Sequence, residues 1–355
     1  MKRALGFVTF VVLAACATTG ASGEGDRNLP TVGVGPFRKL AADEVREIAP
    51  FVYDDRLALY REPAVVADGD ATLLYVVAKR DGRDVIVRSR ADDGRAFYGS
   101  TSDFGKTAPI VLAADQPWEG PSVAGPFVLR SASGFTLYYA AAGGIGSARS
   151  ADGLTFQKDP GPILTRDPAS AWESTEVRAP SAYVLADGRV RLVYASGTSI
   201  GEAESTDGGA HFTRLSPLPI LAPAPDAPPG SLLPHEKPPF DTARVDDPCA
   251  SLETTPVGRL HVRVLYTGYD AAGVSAIGYA ARFGTEGPLE RQPNPVYSVG
   301  AKEAAPALLQ TGDTSYLYVQ QSRRVDDKLS YSAIAAAYAP GSTHLPTPLE
   351  FPALP

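Results

Sequence analysis

Trp118-Glu119-Gly120-Pro121-Ser122-Val123 opens a stretch that continues through Phe135-Thr136-Leu137-Tyr138-Tyr139 and Ile145-Gly146-Ser147-Ala148 to Ser150-Ala151-Asp152-Gly153-Leu154-Thr155-Phe156. Short runs of β-branched and aromatic residues separated by glycine-rich turns are the pattern of β-strands, and the Asp-Gly pair marks a hairpin into one more. The stretch therefore reads as a four-stranded antiparallel meander.

The same unit recurs along the chain. Its opening proline returns as Pro63, Pro121, Pro180, Pro248 and Pro306, at separations of 58, 59, 68 and 58 residues. A strand follows each one, with Leu74-Tyr75, Leu137-Tyr138, Leu192-Val193-Tyr194, Leu265-Tyr266 and Leu317-Tyr318. Three copies then carry Ile-Gly, at Ile145-Gly146, Ile200-Gly201 and Ile277-Gly278. The last element reads Pro109-Ile110, Pro162-Ile163, Pro219-Ile220, Pro295-Val296 and Pro348-Leu349. A four-stranded sheet cannot bury both its faces alone, whereas radial repetition buries them and leaves only short edges. The expected fold is all-β, a five-bladed β-propeller with blades starting near 60, 118, 177, 245 and 303 in a single domain over 31–355.

Charge and composition narrow the function. A net charge of -7 over 355 residues, without clustered Lys and Arg, argues against a nucleic-acid surface. Lys2-Arg3, the apolar run Ala4 to Leu13, and Leu13-Ala14-Ala15-Cys16 have the layout of a secretory signal. It resembles the bacterial lipoprotein signal, which implies a signal peptide over 1–15, a lipidated Cys16 and a tether to residue 30. The lipid anchor is then the expected membrane contact, on the outer membrane, since Ala17 stands where a retention signal has aspartate.

Once Cys16 is acylated, Cys249 has no partner and reads as a small buried hydrophobe. The four histidines, His211, His235, His261 and His344, lack metal-ligand spacing, so no metal and no cofactor is expected. Ala42 to Ala49 reads as a short helix and Phe51-Val52-Tyr53 as a strand that closes the ring or leaves that to the fifth repeat. The proline-rich segment 221–240, with His235-Glu236-Lys237 near its centre, reads equally as a lid or a passive loop.

An acidic residue before proline, a Leu-Tyr strand, Ile-Gly-x-Ala and Ser-x-Asp-Gly-x-x-Phe together resemble the five-bladed glycoside hydrolases of the arabinanase, levansucrase and invertase type. The resemblance spans nearly the whole mature chain and implies cleavage of furanosides or related glycans by three axial carboxylates. Matched after rotating the blade order, it assigns Asp247, before Pro248, as base or nucleophile, Glu62, before Pro63, as stabiliser, and Glu119 as general acid with Trp118 raising its pKa. Arg61, Arg178 and Asp246 then complete the substrate site. The same residues also read as a buried ion network, with Glu62, Glu119 and Asp247 paired to Arg61 and Arg178. A carbohydrate is the expected partner and a monomer the expected state.

Two other functions fit part of the pattern. A non-catalytic surface lipoprotein that binds a glycan or a partner at the axis needs only the fold. Ser205-Thr206-Asp207-Gly208-Gly209-Ala210-His211-Phe212, and in part Thr101 to Thr107, resemble the Asp-box of sialidases, which implies a six-bladed ring. An Asp-box is a turn device, its carboxylate capping backbone N–H groups, so it reports hairpins and not chemistry.

Overall fold

The computed structural model of the chain describes residues 38–39, 58–91, 108–173, 175–226, 238–254, 258–298, 300, 302–311, 314–324 and 330–340. Cys16, the segments 42–49 and 51–53, His235-Glu236-Lys237 and Pro348-Leu349 lie outside them. The described chain is an all-β propeller of four-stranded antiparallel blades. The first sheet holds β2 (Ala58–Asp68), β3 (Ala71–Arg80), β4 (Arg83–Ala91) and β5 (Ile110–Leu112). The second holds β6 (Val123–Ser131), β7 (Gly134–Ala141), β8 (Gly144–Ser150) and β9 (Gln157–Lys158). The third holds β10 (Arg178–Val184), β11 (Val190–Ser196), β12 (Ser199–Ser205) and β13 (Thr213–Arg214). The fourth holds β14 (Arg244–Thr254), β15 (Leu260–Tyr269), β16 (Ser275–Phe283) and β17 (Glu290–Arg291). In the last sheet β18 (Glu303–Thr311), β19 (Thr314–Arg324) and β20 (Ser330–Pro340) are completed by β1 (Arg38–Lys39), so an N-terminal strand pairs at the outer edge there.

Apolar cores lie between successive sheets. One joins Tyr75, Val77 and Ile86 of the first sheet to Val123, Leu137 and Tyr139 of the second, and another joins Leu74 and Val76 to Leu309 and Tyr318 of the last. Strands β2, β6, β10, β14 and β18 are neighbours in that order, and β18 also meets β2. The middle strands are therefore covered on both faces, which is why they carry continuous apolar runs instead of an alternating pattern. Asp-boxes clip sheets together from outside. Asp152 Oδ1 accepts the Leu154 and Thr155 N–H groups at 2.8 Å, Phe156 packs edge-on to Tyr75, and the Tyr75 hydroxyl donates to Gly153 O at 2.7 Å. Asp207 and Phe212 repeat the device against Tyr138.

Each innermost strand carries a bulge, and the bulges build the axis. The ladder skips between Arg61 and Ala64, Ala124 and Phe127, Arg178 and Ser181, Asp246 and Cys249, and Ala304 and Ala307. A proline inside each gap has no N–H to give the ladder, so one extra residue is extruded there. The residue before it takes a left-handed backbone, with φ of 51° at Glu62, 54° at Gly125, 46° at Ala179, 48° at Asp247 and 50° at Ala305. The repeat proline of the second sheet is thus Pro126, not Pro121, which belongs to the turn before β6.

Candidate active site

The five bulges surround a cavity of about 140 Å³ on the axis. Glu62, Gly125, Ala179, Asp247 and Ala305 line it, each followed by its proline, and Val65, Phe127, Cys249 and Leu308 stand among the other lining residues. An apolar cavity of about 150 Å³ holds benzene, so this volume is of the order of one ring. Left-handed backbone at non-glycine residues costs on the order of 1 kcal/mol each, and such strain gathers where a side chain must be aimed. Of the bulge residues, two are acids, and both line the cavity.

Glu62 is held as a hydrogen-bond acceptor at both oxygens. Arg61 Nε donates to Oε1 at 2.9 Å and the Gly125 N–H to Oε2 at 2.6 Å. Arg61 also grips Asp84, and the two residues fix each other across β2 and β4. The Arg61–Glu62 contact is one of the pairings expected from the sequence. Arg178 instead pairs with Asp246 at 2.8 Å, and Arg244 approaches the same carboxylate at 3.4 Å while its guanidinium lies over Tyr269. Asp246 is buried, and its Oδ1 accepts the Asp247 N–H at 3.0 Å.

Asp247 is in a different state. Burial, reinforced by the negative charges of Asp246 and Glu62, pushes its carboxyl up to about 7, against the opposing pull of a hydrogen bond from Thr267 and the charge of Arg178. The Thr267 hydroxyl donates to Oδ2 at 2.9 Å. A carboxyl whose pKa is raised toward neutrality, in one cavity with a second carboxyl whose two oxygens accept N–H donors, is a pairing suited to acid–base work at a shared group. Cys249 lines the cavity half-buried, and burial lifts its thiol to about 11, so it serves as packing and not as a nucleophile.

Glu119 and Trp118 stand elsewhere. Both sit in a 3₁₀ turn (Pro117–Glu119) ahead of β6, and neither lines the axial cavity. Glu119 is fully buried; its Oε2 accepts the Asp115 and Gln116 N–H groups and Lys158 Nζ at 2.8 Å, and its Oε1 accepts the Tyr139 hydroxyl at 2.7 Å. Burial alone would raise its pKa, but Lys158 and these donors outweigh it and hold the carboxyl below its ordinary value, the opposite of what a general acid needs. Trp118 lies over Tyr139, with ring centroids 5.9 Å apart. The arrangement is a repeated structural device: Trp172 stacks on Tyr194 while Arg214 holds Glu173, and Phe240 stacks on Tyr266 while Arg291 holds Asp241. Glycine of each Ile-Gly pair lies under the stacked rings, where a Cβ would come within 2.6 Å of Trp118, 2.3 Å of Trp172 or 2.4 Å of Tyr266.

A signal in the sequence marks the true repeat. Trp118, Trp172 and Phe240, each followed by an acid, stand eight residues before Pro126, Pro180 and Pro248. Thr267 and Gln320, which touch the two axial acids, carry no such signal, because they lie on second strands and meet the bulges only through register.

Comparison with known proteins supports the architecture. The sequence matches no protein-family profile and no curated protein. Among solved structures, a glycosyl hydrolase from Bacteroides ovatus is 16% identical with a TM-score of 0.59, covering 86% of this chain and 94% of its own. A structure from the GH130 family of mannoside phosphorylases, described as containing glycoside hydrolases that target β-1,2-mannosidic linkages in Candida mannan, gives the same identity, TM-score and coverage. A thermostable family-43 glycoside hydrolase is 14% identical, with a TM-score of 0.56 over 81% of this chain and 91% of its own. At these identities the likeness carries the propeller fold.

Proposed function

We propose that this chain is a glycoside hydrolase, with a closed ring of five blades and its reacting group at the axial cavity. One observation carries the reading: Asp247 and Glu62, two carboxyls in unlike environments, line a single cavity of sugar-ring size. The glycosidase neighbours on the same fold supply the reaction class. Asp247, protonated, donates its proton to the glycosidic oxygen as the bond to the anomeric carbon breaks. Glu62, held as an acceptor by Arg61 and the Gly125 N–H, serves the opposite side of the ring, taking a proton from water or bonding to the anomeric carbon. Asp246 keeps negative charge beside Asp247 and so helps retain its proton, against the opposing charge of Arg178. No third carboxylate is required.

The test is hydrolysis of a panel of arabinofuranosides, fructans, xylosides and mannosides, including β-1,2-linked mannosides, by the purified mature chain. Release of sugar from one member is expected. Binding of sugars without turnover of any would replace the enzyme by a binding module.

The anchor belongs to the same reading. We propose that Cys16 is acylated and that the propeller is tethered to the outer membrane, since Leu13-Ala14-Ala15-Cys16 joins small residues to cysteine after an apolar run. Cys16→Ser is expected to shift the protein from the membrane to the soluble fraction on cell fractionation. An unchanged distribution would refute the anchor and leave the chemistry untouched.

A further inference from the structure

We propose that Thr267 is a positioning residue that assigns the proton of Asp247 to its Oδ1 atom, an inference that rests on the acid role given to Asp247 above. Position in the ladder singles it out. The residues that pair with the position two before each repeat proline are Val77, Ala140, Ala195, Thr267 and Gln320. Three are apolar. The two polar ones touch the two acidic bulges: the Glu62 N–H donates to Gln320 Oε1 at 3.3 Å, and Thr267 contacts Asp247.

Thr267 is fully buried and its hydroxyl is committed twice. The Ala305 N–H, freed from the ladder by the bulge in β18, donates to Thr267 Oγ1 at 2.9 Å. With its oxygen receiving that bond, the hydroxyl hydrogen is directed to Asp247 Oδ2, also at 2.9 Å. Oδ2 is then an acceptor in either state of the carboxyl, and the transferable proton resides on Oδ1. The bond is worth more to the anion than to the acid, so Thr267 also keeps Asp247 from holding its proton too tightly to release it. The other charged or titratable groups around Asp247 are Asp246 beside it, Glu62 in the same cavity, Arg178 from β10, and Arg244 and Tyr269 at the end of the fourth sheet.

The experiment is a carbon-13 titration of the aspartate carboxyls, with Asp247 assigned by its loss in Asp247→Asn, run beside pH profiles of kcat/KM. In Thr267→Val the Asp247 midpoint is expected to rise by roughly one pH unit, the effect of one lost hydrogen bond to a charged group. The alkaline limb of the rate profile should rise with it, and kcat should fall while KM holds. Thr267→Ser, which keeps the hydroxyl, should restore midpoint, limb and rate. Val and Ala already occupy this register position in other blades, so Thr267→Ala serves where the valine variant fails to fold. An unmoved midpoint in a folded variant without the hydroxyl overturns the proposal. The titration needs no turnover: a moved midpoint in a protein that cleaves nothing sinks the glycosidase reading and keeps the proton assignment, and the converse result does the reverse.

Discussion

Asp247→Asn is expected to lower kcat on the best glycoside by about a hundredfold to ten-thousandfold, the range for loss of one acid–base group. The amide fits the same space but has no proton to deliver. In the wild type, kcat/KM should fall as pH rises through about 7, because the protonated form of Asp247 is the active one, and this limb should vanish in the variant. Stability has the same origin. Between the ordinary aspartate value of about 4 and about 7, the native protein holds a proton that the unfolded chain has released, so this carboxyl makes stability fall as pH rises across that window. Urea denaturation of wild type and Asp247→Asn at both ends of the window measures the difference. Equal rates for the two proteins would remove Asp247 from the chemistry.

Glu119→Ala is expected to cost about 3 to 5 kcal/mol of folding stability, the effect of removing one partner from a buried ion pair. It strands Lys158, the Tyr139 hydroxyl and two backbone N–H groups, all of which point at one carboxylate. The loss should appear as a lower denaturation midpoint, with kcat of the folded protein unchanged. A catalytic acid gives the reverse, a rate loss at preserved stability, so rate and melting measured together decide between the two roles. Finding the reverse would return Glu119 to the chemistry and put the axial assignment in doubt.

Glu119 lies off the axial cavity because Pro121, two residues after it, is not the bulge proline of its sheet. Pro121 just before β6 and Pro126 within it both stand at plausible spacing, and periodicity alone does not choose between them. Pairing chooses: only Pro126 falls in the gap between Ala124 and Phe127, beside a left-handed Gly125. The tyrosines of the repeat occupy two ladder positions one residue apart. Tyr75, Tyr138 and Tyr318 share one position in the ladder, opposite Ala64, Phe127 and Ala307, while Tyr139, Tyr194 and Tyr266 lie opposite the glycines of Ile-Gly. Since side chains alternate along a strand, one residue of offset sends a tyrosine to the other face of its sheet.

Four-stranded meanders, their radial repetition and the Asp-box turns were determined by the sequence alone, because strand propensity, turn chemistry and spacing are local properties of the chain. Glu62 and Asp247 were also visible, as acids before proline. Which carboxyls meet, and in which state, was decided by the tertiary structure. Burial and the neighbouring charges of Asp246 and Glu62 raise the Asp247 carboxyl, while Lys158 and the Tyr139 hydroxyl hold the Glu119 carboxyl below its ordinary value. Burial, and the approach of Glu62 to Asp247 and of Lys158 to Glu119 from far along the chain, exist only in the folded molecule, because electrostatic energy follows distance in space.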